Sequence, residues 1–201
     1  MGASMIHMRT AVEVRAAMRG DAPTIARLAD MAGEGLPMHL WQGMTGPGDS
    51  ALSVGTARAA RDEGAFSWRN AHVAQWHGAP VGVVIDYDID DPDTSTDVPP
   101  LLAPLLKLEA LATGTRYVNV LAVLPQARRR GAATALLRHM IARTGRDVTL
   151  VVSSANRIAR GFYVAEGFDD VARHAMRRGG PQGLAGDWLL MRRRSDLAAV
   201  Q

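Results

Sequence analysis

An α/β chain, one domain with helices covering the faces of a central sheet, is what this sequence predicts, and three observations predict it. Short β-prone runs alternate with segments of helical periodicity from Val12 to Arg192, a pattern that requires layers of helix on sheet. Val148 to Val152 is almost wholly apolar, as a strand buried between two layers must be. The strongest strand candidate, Tyr117 to Leu124, is stopped by Pro125 and leads through three arginines into an amphipathic helix. With 201 residues, one domain with an elaboration accounts for the length.

The first element, Val12 to Arg15, alternates like a short strand. Asp21 and Pro23 open a helix whose apolar positions Ile25, Leu28, Ala29 and Ala32 recur at helical spacing. Gly33 to Gly43 and Gly46 to Gly48 have loop chemistry, so Trp41 is expected in a loop joining two helices. Ser53 to Glu63 reads as the second helix, ended by Gly64. His72 to Trp76 and Val81 to Tyr87 flank a turn at His77 to Pro80, which predicts an antiparallel hairpin. Asp88 to Pro100 carries five Asp and three Pro and no basic residue, the mark of a solvated excursion. Leu101 to Thr113 resumes as a helix with Pro104 in its first turn and Leu105, Leu108 and Ala112 on one face.

After the Tyr117 strand, Gly131 to Thr144 places Ala133, Leu136, Leu137, Met140 and Ile141 at helix spacing. Asn156 to Glu166 is a further helix closed by Gly167, and Phe168 begins an extended stretch. A last strand covers Asp187 to Arg192. The resulting organisation is a flexible start at 1–10, a single domain over 11–194 with an insertion and its helix at 88–116, and a tail at 195–201.

Composition narrows the function. No apolar run approaches the roughly 18 residues that span a bilayer, so no membrane role is expected. With no cysteine the chain has neither disulfides nor a thiolate nucleophile, and the cytoplasm is the expected compartment. The net charge is +3, and the cations are nearly all arginine, Lys107 being the single lysine. Dinucleotide and P-loop glycine motifs, the helical zinc-protease motif and the serine-hydrolase elbow are all absent. The six histidines show no metal-ligand spacing, so no metal is expected.

One loop does carry chemistry. Arg128, Arg129, Arg130, Gly131, Ala132 and Ala133 lie between a strand and a helix, where unpaired N–H groups and the helix dipole attract anions. Gly131 and the two alanines permit close approach to the backbone, and arginines bind phosphate oxygens in pairs. A solvated arginine run beside a tightly packed helix would read the same way.

The run Leu121, Val123, Pro125, Arg128, Gly131, Ala133 resembles the acetyl-CoA motif of the GNAT superfamily of N-acetyltransferases, [RQ]-x-x-G-x-[GA], together with its preceding strand. Asn156, Ala159, Phe162, Tyr163, Gly167 and Phe168 are similar to that family's second motif and follow in the expected order. The resemblance implies the GNAT acyl-CoA N-acyltransferase fold: a mixed, mostly antiparallel sheet of about seven strands, flanked by helices and splayed between the fourth and fifth. Three departures stand out: Arg129 where the family commonly has glycine, Gly161 inside the second motif's helix, and the 88–116 insertion. Gly161 is expected to permit close packing, and the insertion either covers the acceptor site or decorates the sheet edge.

The activity implied is direct transfer of acetyl from acetyl-CoA, a co-substrate, to a primary amine of a small molecule or peptide (EC 2.3.1.-). Main-chain groups of Leu121, Ala122 and Val123 are then expected to bind pantetheine, and the backbone of Arg129 to Ala133, with the arginines, the pyrophosphate. Asn156 corresponds to the motif asparagine that bonds the pantetheine arm, although a helix N-cap explains it equally. Tyr163 stands at the family's general acid position, with plain packing beside Phe162 as the other reading. Glu109 is the candidate base acting through a water, against the simpler expectation of a solvated helix residue. Glu34, Leu36, Trp41 and Asn119 are acceptor candidates, with Trp41 equally suited to plug a core. A homodimer is compatible with the resemblance. The competing classes are a non-catalytic acetyl-CoA-binding module and an arginine-rich nucleic-acid binder; the latter lacks stacking aromatics, which make up only 5% of the chain.

Overall fold

In the computed structural model, residues 12–91, 98–181, 184 and 186–195 are described. The expected flexible start at 1–10 lies outside them, as does the tail beyond Ser195. Seven strands form one sheet in the order β1-β2-β3-β4-β5-β7-β6. They are β1 (Glu13–Ala16), β2 (Ala71–Trp76), β3 (Ala79–Asp88), β4 (Arg116–Val123), β5 (Val148–Ser153), β6 (Asp169–Ala175) and β7 (Asp187–Arg193). Every neighbouring pair is antiparallel except β4 and β5.

Among the described residues six α-helices accompany it: α1 (Ala22–Ala32), α2 (Leu36–Gln42), α3 (Ala51–Ala59), α4 (Ala103–Ala110), α5 (Ala132–Ile141) and α6 (Arg157–Ala165). The apolar stripes assign them to layers. Ile25, Leu28 and Ala29 of α1, with α3, bury against Val73, Val83, Ile85 and Val120. Leu136, Leu137 and Met140 of α5 bury against Val84, Val118 and Leu150 in a separate cluster. A third cluster joins Leu36 and Leu108 to Tyr117, Trp188 and Leu190. Each is a side chain removed almost wholly from water, a gain of about 1.5–3 kcal/mol for a large one.

The loop expected at Gly33 to Gly43 is instead helical over α2, a correction with a local and a tertiary cause. Pro37 sits in the first turn, where its fixed φ suits a helix. Leu36 and Trp41 then bury on one side, at 6% and 5% exposure. Trp41 fits because α3 carries Gly55 opposite it: a Cβ there would collide with the indole ring. The second helix also begins earlier and ends sooner than expected. Ser50 accepts from the Ser53 N–H in a capping box, a signal the apolar spacing does not carry.

The insertion is rooted rather than loosely solvated. Its ends are pinned by Ile89 N–H to Thr115 O at 3.0 Å and Gly114 N–H to Ile89 O at 2.7 Å, and Ile89 and Leu108 are buried. Its residues 92–97, the middle of the acidic excursion, lie outside the described residues. Gly161 corrects another expectation: nothing lies within 4 Å of where its Cβ would stand, so no close packing requires it.

A buried polar group sits on the opposite side of the sheet from α1. The His72 ring is 4.7 Å from that of His139 on α5. Arg143 Nη1 lies 2.8 Å from His72 Nε2; since a guanidinium only donates, that nitrogen accepts. Burial, then Arg143, His139 and Arg116, lower the His72 pKa from 6.5 to about 4. The folded state thus favours the neutral ring, and this stabilisation is complete above pH 6.5 and lost as pH falls from there through 4.

Two outcomes follow. Chemical denaturation of wild type and His72→Gln across pH 4 to 7 should show a steeper loss of stability on acidification in wild type; parallel curves would refute the assignment. Gly161→Ala should raise unfolding free energy by about 1 kcal/mol, the difference in helix propensity, and a destabilised variant would show that the glycine has a packing role.

Candidate active site

The sheet opens where β4 and β5 separate. Their parallel pairing runs only through Arg116 with Val148, Tyr117 with Thr149 and Val118 with Leu150. On its other side β4 stays paired with β3 as far as Val123, but the register slips: Ile85 faces Val120 and Asp86 faces Val118, leaving Asn119 as an extra residue. Such a bulge bends and twists its strand, and it falls at the residue where β4 leaves β5. From Asn119 onward one edge of β4 has no strand partner, and its main-chain groups face a cleft of about 890 Å³.

At the far end of β4 the chain enters the arginine loop. Arg129 has φ +60° and Gly131 φ +82°. The left-handed geometry at Arg129 is the reason glycine suits this position, and a non-glycine residue there costs roughly 1–2 kcal/mol. Gly131 is the N-cap of α5 and offers no side-chain oxygen to the first turn. The space its missing Cβ would occupy is open to 4 Å, so the leading N–H groups form an uncapped, electropositive cradle.

The arginines diverge. Arg129 lines the cleft. Arg128 also lines it, but its Nε donates to Val123 O at 3.3 Å, so one of the carbonyls expected to meet pantetheine already has a donor. The Arg130 guanidinium stacks 3.9 Å above the Trp76 ring, and neither it nor the buried Ala132 lines the cleft. Arg130 thus departs from the expected arginine cluster, because an indole face holds its cation.

Asn156 N-caps α6, its Oδ1 accepting from Ala159 N–H at 3.1 Å. Its Nδ2 donates to Glu34 Oε1 at 2.8 Å. The N-cap reading therefore holds, and the amide also ties the α1–α2 connection to the end of β5. Glu34 adopts φ +53°, a strained position held by that bond. Leu36, Trp41 and Leu121 to Val123 line the same cleft.

Tyr163, of α6, is buried yet lines the cleft. Its ring packs edge-on to Phe162, 5.4 Å away, so packing and cleft exposure coexist. Burial raises its pKa well above 10, which keeps the phenol protonated. Glu109 is not the solvated residue the sequence suggests: half-buried, it accepts from Tyr117 OH at 3.0 Å and lines the cleft from the insertion helix. Asn119 Nδ2 donates to Tyr87 OH at 3.1 Å, and the rings of Tyr87 and Tyr117 are 5.7 Å apart. Burial and then Glu109 raise both phenols. This tyrosine pair was missed because strand alternation gives no sign that α4 folds over it. Among the described residues no cluster of three or more metal-ligand side chains exists.

A family model for the acetyltransferase (GNAT) family matches residues 47–168. No curated protein sequence matches the chain. Among solved structures, an N-acetyltransferase from Staphylococcus aureus Mu50 superposes with a TM-score of 0.66 at 18% identity, over 90% of this chain and 99% of that one. The ribosomal-protein-S18-alanine N-acetyltransferase from Escherichia coli gives 0.56 at 15%, over 92% and 94%. N-acetylglutamate synthase from Neisseria gonorrhoeae, complexed with coenzyme A and N-acetyl-glutamate, gives 0.52 at 16%, over 92% of this chain and 35% of that one.

The double use of Asn156 is testable. Asn156→Asp retains the cap but loses the donor and sets two carboxylates together, so it should destabilise by about 1 kcal/mol or more and be rescued by Glu34→Gln in a double-mutant cycle. Additive effects in denaturant unfolding would show that the two side chains are uncoupled.

Proposed function

The chain belongs to the GNAT acetyltransferase family, and from that premise we propose that it transfers the acetyl group of acetyl-CoA directly to a primary amine in the cytoplasm. The observation that carries the reading is the meeting, in one cleft, of the uncapped α5 N-terminus with the unpaired edge of β4. The first suits phosphates and the second suits the amides of a pantetheine arm. When bound, the co-substrate supplies its acetyl unit as an activated thioester.

The residues present fit that group. Backbone N–H groups from Arg129 to Ala133 hold the diphosphate, with Arg129 adding charge at the mouth. Leu121, Ala122 and Val123 offer main-chain partners along β4, and Asn156 reaches the arm only if its bond to Glu34 yields. Glu109, an acceptor within the cleft, takes the proton that an incoming ammonium must lose, directly or through a water. Tyr163 keeps its proton because burial raises it, and so donates towards the departing sulfur. The same dry surroundings raise a leaving thiolate's affinity for that proton.

Calorimetric titration with acetyl-CoA should give micromolar binding that Gly131→Glu abolishes while the variant remains folded by circular dichroism. Tyr163→Phe should bind acetyl-CoA as wild type does and lose about 10² to 10⁴ in turnover, read as released CoA thiol. Full turnover by Tyr163→Phe would remove it from the acid role, and no binding by wild type would sink the cofactor assignment.

A further inference from the structure

The cleft's charged side chains are nearly all accounted for by the protein itself. Glu34 is held by Asn156, Glu109 by Tyr117, and Arg128 by Val123 O and the Met31 sulfur. Arg129 stands at the phosphate loop. Arg58, on α3, is left over.

Arg58 lines the same cleft as Trp41 and Phe66, whose rings lie 5.8 Å apart. It is half-buried, and among the described residues no carboxylate lies within 4 Å of it. Asp62, four residues on, is bridged by Arg19 at 3.3 Å and Arg69 at 3.0 Å. The charge that acts on Arg58 is that of Arg61, of like sign; burial first and Arg61 second lower its pKa. A guanidinium stays ionised regardless, and holding one half-dry in a cleft wall without a counter-charge is unfavourable. Placing an anion against it reverses that penalty, and its planar fork matches a carboxylate with two parallel N–H···O bonds.

We propose that the acetyl acceptor carries a carboxylate as well as its amine, that Arg58 binds this carboxylate, and that Trp41 and Phe66 pack against its apolar part. This rests on the acetyltransferase reading above and deepens it: the substrate class is a free apolar amino acid, with Arg58 as its specificity determinant. Arg58 and Glu109 bring opposite charges to the walls of one cleft, so the carboxylate is drawn to the guanidinium and the ammonium to the acceptor of protons. A simple cationic amine would leave Arg58 uncompensated.

Matched acceptors test this. L-phenylalanine, L-leucine and ε-aminocaproate are compared with phenethylamine, isoamylamine and pentylamine, their decarboxylated counterparts, by CoA thiol release. At least one carboxylated member should exceed its partner in kcat/KM by about ten- to a hundredfold, the worth of a hydrogen-bonded charge. In Arg58→Gln that ratio should collapse towards one, through KM rather than kcat, and Arg58→Lys should recover part of it. Equal or better turnover of the decarboxylated amines by wild type overturns the proposal, and needs no variant to fold. A comparable loss of acetyl-CoA affinity in Arg58→Gln assigns the guanidinium to a cofactor phosphate and overturns it too. Acetyl-CoA binding with no turnover of any member excludes this acceptor class but leaves the cofactor site standing, whereas no acetyl-CoA binding at all fails the underlying reading instead.

Discussion

The incomplete pairing of β4 with β5 is the constraint on which the rest of this structure depends. Two parallel strands aligned over only three residue pairs hold the sheet together at one end and leave main-chain donors and acceptors exposed at the other. Buried backbone groups do not tolerate that arrangement without partners, so the opening must be a wet cleft or a ligand site. The bulge at Asn119 fixes where the strands part. Because both strands run in the same direction, the helices that follow them, α5 and α6, begin at the same open end.

Around that opening the chain stores local strain and then secures it. Glu34 and Arg129 both hold positive φ, a cost of about 1–3 kcal/mol each that persists only where neighbours over-determine the geometry. For Glu34 the neighbour is Asn156, 122 residues away in sequence. For Arg129 it is the turn from β4 into α5. Both of these residues line the cleft, whereas the third non-glycine residue with positive φ, His77, lies in the β2–β3 turn.

The insertion shows how an elaboration becomes part of a site. Its flanks close on each other by backbone bonds, which positions α4 over the start of β4 and brings Glu109 to Tyr117. The resulting phenol–carboxylate pair sits on one side of the cleft, while the α2–α3 contact, made possible by Gly55 beneath Trp41, brings an aromatic wall and Arg58 to it as well. A single cavity is therefore lined by an electropositive helix end, two carboxylates, protonated phenols and, beside aromatics, Arg58.

The sequence alone determined the order of strands and helices apart from α2, the hairpin of β2 and β3, and the glycine-led turn at Gly131 into α5, because these rest on local properties: periodicity, turn chemistry and the backbone freedom of glycine. It also indicated Tyr163 and Asn156 through a motif whose spacing is that of one helix. What it could not show is α2, whose helix depends on burying Trp41 against a glycine of another element, or the directions taken by Arg128 and Arg130, each drawn to a partner elsewhere. The contacts Glu34 to Asn156 and Glu109 to Tyr117, and the isolation of Arg58, were decided by tertiary structure alone. Their physical reason is common to all three: a charge's worth is set by what stands within a few ångströms of it, and those neighbours come from parts of the chain that only the folded sheet brings together.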